Sequence, residues 1–168
     1  MTEVNLTRGS NDDVGQALAG RCACGALRFR MQTAPLFVHC CHCLDCQRQT
    51  GGAFVLNALI ETARLEIAAG APVRAEVPTD SGRPHGIYRC PTCGVAVWSE
   101  YGGVAPLRFV RVGTLERPSA LAPDVHIYTR SKQAWVVLPA GVPAFEGYYD
   151  SAKLWPAASL ARRRALFG

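Results

Sequence analysis

Closely spaced cysteines are the feature that most constrains this 168-residue sequence. Seven of its eight cysteines fall into three short runs, and Cys40 directly precedes the second: Cys22-x-Cys24, Cys41-x-Cys43-x-x-Cys46 and Cys90-x-x-Cys93. Disulfides between cysteines this close would enclose small, strained loops. The first twenty residues lack the apolar segment of an export signal, so we expect a cytoplasmic protein whose thiols stay reduced. The spacing therefore indicates metal ligands.

The first and third runs predict a structural zinc site. Together they supply four thiolates, the number that completes such a site. In Cys90-Pro-Thr-Cys93, Pro91 favours a turn and Gly94 permits the positive φ that follows it. Glycines also flank the first run, and a bend there would bring its two thiols together.

The middle run supplies three thiolates and predicts a different kind of site. Three ligands leave one zinc position open for water, a thiol or a local side chain. The local candidates are His39, Cys40 and His42. If one of them completes the site, the site is structural and the protein is a zinc-built binding module. If none does, the open position is available for chemistry.

Composition favours one globular domain but does not select a partner. Apolar residues make up 49% of the sequence and charged residues 18%, which is typical of a packed domain. The net charge of +5 suits an anionic small ligand as well as a nucleic acid. The longest apolar stretch, 134–145, is interrupted by Pro139, Gly141 and Pro143 and is too short to cross a bilayer. We therefore expect no membrane partner.

Short β-type runs alternate with turn residues and favour a mainly β fold of antiparallel sheets. The predicted strands span 27–31, 37–40, 54–60, 64–68, 73–77, 87–89, 96–99, 107–112, 125–129 and 134–138. A short helix is predicted over 44–50, with Gly51 as its left-handed cap, and another over 156–167. Residues 1–18 are predicted to form a flexible leader.

Three motifs together resemble the glutathione-dependent formaldehyde-activating enzyme family, which also includes the domain of centromere protein V. They are Gly20-x-Cys22-x-Cys24-Gly25, Cys41-His42-Cys43-x-x-Cys46-x-x-x-Thr50-Gly51-x-x-Phe54 and Cys90-x-x-Cys93-Gly94. The downstream segments Val112-Gly-Thr-Leu115 and His126-Ile-Tyr-Thr-Arg130-Ser-Lys132-Gln-Ala-Trp135 are similar too. We therefore expect a domain over 19–147 and a C-terminal extension, at least partly helical, over 148–168.

The resemblance implies an Mss4-like fold of several small antiparallel sheets organised around two zinc ions. It implies a structural zinc on Cys22, Cys24, Cys90 and Cys93 and a catalytic zinc on Cys41, Cys43 and Cys46. The activity named for the family joins formaldehyde to glutathione to give S-hydroxymethylglutathione, formally a carbon–sulfur lyase reaction run in the condensing direction. The implied partners are a small thiol and an aldehyde.

Three features depart from the family pattern. Cys40 is not part of its ligand set. Because Cys40 and Cys41 point in different directions in an extended chain, we expect Cys40 to be a packed or reactive thiol. Gln47 stands where relatives often carry a basic residue, and the extension 148–168 runs past the usual end.

Basic residues near the motifs are candidates for glutathione binding. Glutathione carries two carboxylates and one ammonium, so its site needs Arg or Lys donors. The candidates are Arg48, Arg130 and Lys132, each of which also fits a solvated surface charge.

Three other features are explained without a role in catalysis or ligand binding. We expect His126 to pack in a strand end, with a proton shuttle as the alternative, and Trp135 to lie in the core, with a ligand platform as the alternative. The arginines at 162–164 are expected to form a solvated helix face or to contact a second copy of the chain. Nucleic acid is the less favoured partner for this basic run. The alternative function for the whole chain is a non-catalytic, zinc-built module that binds a protein or nucleic acid.

Overall fold

Short strands in two sheets form most of the protein in the computed structural model, which describes residues 17–167. In chain order the strands are β1 (Leu18–Arg21), β2 (Arg28–Met31), β3 (Phe37–Cys41), β4 (Val55–Glu61), β5 (Leu65–Ala69), β6 (Val73–Val77), β7 (His85–Arg89), β8 (Ala96–Tyr101), β9 (Leu107–Arg111) and β10 (Val125–Ile127). The smaller sheet has the order β1-β2-β5, and the larger has the order β10-β3-β4-β9-β8-β7-β6. All neighbours are antiparallel except β10 and β3, which run parallel. The predicted mainly β fold of antiparallel sheets is confirmed.

The helices of the described chain are short. They are α1 (Leu44–Thr50), α2 (Ser151–Leu154) and α3 (Ala157–Arg164). The prediction for α1 is confirmed, including its end: Gly51 has φ 66° and donates its N–H to Gln47 O at 2.8 Å. Both α2 and α3 lie in the C-terminal extension. No helix between residues 17 and 167 has the length and apolarity needed to span a membrane.

Nine predicted strands lie within two residues of observed ones, and the remaining differences are local. Leu18 begins β1, although the leader was predicted to include it; residues 1–16 of that leader lie outside the described chain. The strand predicted over 134–138 is wrong, because this segment is a turn and loop in which Trp135 is 73% exposed. β10 is the outermost strand of its sheet, and Tyr128 (φ 56°) turns the chain away after it. Residues 143–147 occupy the outer edge of β10, with His126 N–H bonded to Pro143 O and Tyr128 N–H to Gly147 O, so 134–138 cannot pair there.

Two apolar layers cover opposite faces of the larger sheet. The smaller sheet packs on one face, where Phe29 meets Trp98 edge to face at 5.4 Å between ring centroids. A Cβ at Gly20 would overlap the Phe29 ring, so this approach of β1 and β2 requires glycine. The C-terminal helices pack on the other face, where Trp155 stacks on Phe37 at 5.4 Å. The second face also carries the cysteines of the middle run.

An ion pair joins α3 to the end of β4. Arg162 donates from Nε and Nη2 to the Glu61 carboxylate at 2.8 and 2.6 Å, and from Nη1 to Ala34 O at 3.0 Å. Arg163 bonds the Ser151 hydroxyl and lies over the Trp155 ring. The expectation of a solvated helix face is therefore wrong for Arg162, because its guanidinium is half-buried against a buried carboxylate.

Candidate functional site

The first cysteine group brings together the tips of two β-hairpins. It consists of Cys22, Cys24, Cys90 and Cys93, and their sulfur atoms all lie within 4.8 Å of one another. The first two belong to the β1–β2 connection in the smaller sheet, and the last two to the β7–β8 connection in the larger one. The group therefore links the two sheets.

Tight turns explain why these sulfur atoms converge. Cys22 N–H bonds Leu27 O and Cys90 N–H bonds Val95 O, each at 3.0 Å, so each cysteine run closes on itself. Gly25 (φ 78°) and Gly94 (φ 72°) take the left-handed conformation inside these loops, which a side chain would disfavour. The sequence predicted both turns from the glycines.

The separations in the first cysteine group fit a tetrahedral zinc site. Cys24 Sγ lies 3.5 Å from Cys22 Sγ and 3.7 Å from Cys90 Sγ. Four sulfurs at the usual zinc–sulfur distance are about 3.8 Å apart. Although burial acts to raise it, the Leu27 N–H and the neighbouring cysteines lower the pKa of Cys22 to about 6. The surroundings thus favour a thiolate, the form that binds metal, at Cys22. The Ala26 N–H acts to lower the pKa of Cys24, but contact with Cys22 raises it to about 12.

The second cysteine group lies where β3 ends and α1 begins. It consists of Cys41, Cys43 and Cys46, whose sulfur atoms lie within 4.8 Å of one another. Cys43 occupies the N-cap of α1, and its sulfur accepts the Cys46 N–H at 3.4 Å. Contacts with Cys41 and Cys46 lower the pKa of Cys43 to about 2. Contacts with Cys43 and Cys46 raise the pKa of Cys41. Cys43 is therefore the thiol of this group that loses its proton first.

No fourth Cys, His, Asp or Glu in the described part of the chain joins the second cysteine group at this distance. His39 lies apart, with its Nε2 2.7 Å from the Tyr149 hydroxyl. Cys40 and His42 instead meet His126, in what we call the Cys–His cluster. The three local side chains that might have completed the second group therefore lie elsewhere.

Arg111, which the sequence reasoning missed, lies beside the second cysteine group. It ends β9, is buried, and donates from Nη1 to Asn57 Oδ1. Its Nε and Nη2 are buried without a hydrogen-bond partner among the described residues. Burial lowers the pKa of Arg111, and negative charge on Cys46 and Cys41 acts against that effect. An arginine inside the apolar run 107–112 was the available sequence signal.

Arg111 also lines a cavity of about 630 Å³. The cavity lies between the end of α1 and strands β4, β8 and β9. Its polar lining comes from Gln49, Thr50, Arg89, Arg111 and Thr114. One buried guanidinium thus faces both this cavity and the second cysteine group.

The predicted glutathione contacts have separate surroundings. Arg48 is exposed and pairs with Asp45 at 3.5 Å. Arg130 is exposed and lies over the Tyr128 ring. Lys132 Nζ donates to Gln133 O and Val136 O, so it braces the loop that contains it. None of the three contacts the others.

Gln47 holds that loop against the second cysteine group. Its Nε2 donates to His42 O at 2.7 Å and to Ser131 O at 2.9 Å, and its Oε1 accepts from Gln133 Nε2 at 2.7 Å. The Ser131 hydroxyl also donates to His42 O. The departure from the family pattern at this position therefore has a structural role, which the sequence did not reveal.

The fold and the cysteine groups define a mainly β protein with clustered, metal-competent thiols. The sequence profile of the glutathione-dependent formaldehyde-activating enzyme family matches residues 17–131, so the chain belongs to this family. Among solved structures, a Rhodobacter sphaeroides protein matches with a TM-score of 0.45 and 20% identity, over 62% of this chain and 97% of that one. No curated protein sequence matches significantly.

Proposed function

We propose that the protein joins glutathione to formaldehyde to give S-hydroxymethylglutathione, a carbon–sulfur lyase reaction run in the condensing direction. The observation that carries this proposal is the second cysteine group, in which three thiols converge without a fourth protein donor among the described residues. Family membership supports the substrates. In the reaction a sulfur–carbon bond forms, the carbonyl π pair moves to oxygen, and oxygen gains the proton that the thiol gives up.

Both cysteine groups have the donor chemistry of zinc sites. Cys22, Cys24, Cys90 and Cys93 would hold a structural zinc, and Cys41, Cys43 and Cys46 would hold a second one. When bound by three thiolates, zinc supplies a further position at which a thiol loses its proton more readily. The protein contributes the placement: β3 and the N-terminus of α1 hold the three sulfurs beside the buried Arg111.

Arg111 has two roles in this proposal. A zinc ion with three thiolates carries one net negative charge, which a buried guanidinium offsets at close range. The same residue lines the cavity, whose volume of about 630 Å³ lies in the range of small-ligand sites. We assign a glutathione carboxylate to this cavity, with Arg89 as a second cation in its wall.

The residues predicted from the sequence remain secondary candidates. Arg130 is exposed on the loop that Gln47 holds against the cysteines, so its guanidinium is free to reach a bound tripeptide. Arg48 would first have to leave Asp45, and Lys132 would have to leave two carbonyl groups. We therefore rank Arg130 ahead of Arg48 and Lys132 for glutathione binding.

Exchange NMR tests the proposal directly. The exchange rate between free glutathione, formaldehyde and their adduct is measured at equilibrium with and without the zinc-loaded protein. We expect acceleration by the wild type, loss of acceleration in Cys43→Ser, and a raised KM in Arg111→Gln. Arg164→Gln is the matched control, because Arg164 is exposed at the end of α3.

A folded, zinc-loaded protein that leaves the exchange rate unchanged would overturn the enzymatic proposal. The same metal-built scaffold would then serve as a binding module for a protein or nucleic acid. Circular dichroism of each variant separates a lost activity from a lost fold.

A further inference from the structure

We propose that Cys40, His42 and His126 form an additional metal site, with zinc as its ion, that ties β10 to β3. The proposal does not depend on the proposed enzymatic activity. It rests on the Cys–His cluster, which lies on the opposite face of β3 from the second cysteine group. Cys40 and Cys41 are consecutive residues of one strand, so their side chains point to opposite faces.

The strand register brings the cluster together. Cys40 and His126 are register partners in the parallel pair of β3 and β10, although they are far apart in sequence. His42 follows directly after β3, two residues beyond Cys40 and therefore on the same face, and its N–H bonds Ile127 O. One donor atom from each residue lies within 4.8 Å of the other two.

The observed separations match a shared metal ion. Cys40 Sγ lies 3.6 Å from His42 Nε2, and His42 Nε2 lies 3.0 Å from His126 Nδ1. Ligands of a tetrahedral zinc are about 3.6 Å apart for sulfur and nitrogen and about 3.3 Å apart for two nitrogens. One thiolate and two imidazoles form a donor set that suits zinc.

Among the described residues, no hydrogen bond forces either histidine ring into a tautomer that could not bind a metal at the cluster. The outward nitrogens, His42 Nδ1 and His126 Nε2, are buried and lack a hydrogen-bond partner among residues 17–167. Each ring is therefore free to carry its proton outward and direct a lone pair at the cluster. Without a metal, only one of the two facing nitrogens can carry a proton, and the buried thiol gains a single weak contact.

The backbone of the cluster is held in place on both sides. His42 N–H donates to Ile127 O at 3.0 Å, and His42 O accepts from Gln47 and Ser131. His126 N–H donates to Pro143 O at 2.8 Å. All three side chains are buried, with exposures of 0–5%. Three protein ligands leave one zinc position for a small ligand such as water, but a site this buried is closed to larger ligands, so we assign it a structural role.

Charge gives a second reason for an ion at this position. A zinc ion with one thiolate carries one net positive charge, whereas a zinc ion with the three thiolates of the second group carries one net negative charge. The two sites would face each other across one strand, so their charges would attract. The ion would also hold β10, an edge strand of three residues, to the sheet.

Two measurements on the full chain test this site: metal analysis, which counts zinc ions per chain, and zinc K-edge X-ray absorption, which identifies their ligands. Imidazole rings bound to zinc give a characteristic outer-shell scattering, and the two cysteine groups contain no histidine. We expect imidazole scattering in the wild type. We expect Cys40→Ala and His126→Phe each to lose one zinc per chain together with this scattering. His85→Gln, which changes a buried histidine outside the cluster, should lose neither.

Two outcomes would overturn the proposal. One is a wild-type protein without imidazole scattering, a result that needs no variant to fold. The other is imidazole scattering that survives in Cys40→Ala but disappears in Cys43→Ser, which would place a histidine on the second cysteine group instead.

Discussion

The two cysteine groups use the same ligand in opposite structural settings. The first group joins two hairpin tips from different sheets, which are also held by packing and by a backbone bridge from Gly20 to Leu115. The second group lies within one sheet, where β3 leads directly into α1. Its neighbourhood is held by strand pairing, aromatic stacking and hydrogen bonds. We therefore expect the fold to depend more on the first group than on the second.

The electrostatic surroundings of the two cysteine groups also differ. Backbone turns and the Leu27 N–H serve the first group, and the guanidinium groups of Arg21, Arg28 and Arg89 bond backbone carbonyls of its loops. The second group has the buried Arg111 beside it, and Arg111 also lines a cavity that reaches Gly94 in a loop of the first group. A site that only holds structure needs no buried charge beside it. Substitutions that affect one group and not the other test this division.

Removing a ligand from the first group should have the largest effect on stability. In Cys93→Ser the remaining three thiols keep their hairpin positions but lose tetrahedral zinc binding, whose free energy is part of the folding free energy. We expect the melting temperature to fall by on the order of 10 °C or more. Scanning calorimetry measures it, and Thr92→Ser in the same loop is the control. A smaller fall than in Cys46→Ser would reverse the assignment of the two groups.

Removing a ligand from the second group should abolish activity and spare the fold. In Cys46→Ser we expect one zinc fewer per chain, a melting temperature within a few degrees of the wild type, and an exchange rate lower by about 100-fold. Metal analysis, calorimetry and exchange NMR on one preparation check the three results together. Unfolding of this variant would contradict the view that packing alone supports the second group.

The ion pair of Glu61 and Arg162 anchors the helices that cover the second group. Glu61→Gln should lower the free energy of unfolding by about 2 kcal/mol at pH 7. Burial acts to raise the pKa of Glu61, but the Arg162 guanidinium outweighs it and holds the pKa below its usual value of 4.5. The contribution is therefore present above pH 4.5 and is lost as the pH falls through the lower, folded-state value.

Denaturant titrations of wild type and variant at several pH values check this. The difference between the two chains should shrink in acid, and metal loss cancels because both carry the same cysteines. Arg164→Gln is the control and should change the free energy of unfolding by less than about 0.5 kcal/mol. A difference that stays constant down to strong acid would rule out the ion pair as its cause.

The smallest expected effect concerns the loop beside the second group. Gln47→Ala removes three hydrogen bonds that hold 131–133 against His42. We expect a cost of about 1 kcal/mol in stability and a KM for glutathione raised severalfold, with kcat little changed. Steady-state kinetics separates the two constants. A lower kcat at constant KM would instead mean that Gln47 acts on the reacting atoms.

Much of the molecule follows from local sequence patterns. Val73–Val77 and Leu44–Thr50 were located at their observed bounds, because alternation, turn residues and the Gly51 cap are local signals. The apolar segment at 134–138 was misassigned, since a strand also needs a neighbour to pair with. Arg162 was misread because its partner, Glu61, is distant in sequence.

Cysteine spacing by itself determined the three runs, their division into a group of four and a group of three, and the resemblance that family membership confirms. Only the tertiary structure decided which side chains surround each group. It brought Cys40 and His126 together, and it placed Arg111 beside the second group. The physical reason is that cysteine spacing is a local property of the sequence. Burial, charge neutralisation and strand register depend on residues that meet only after the sheets have formed.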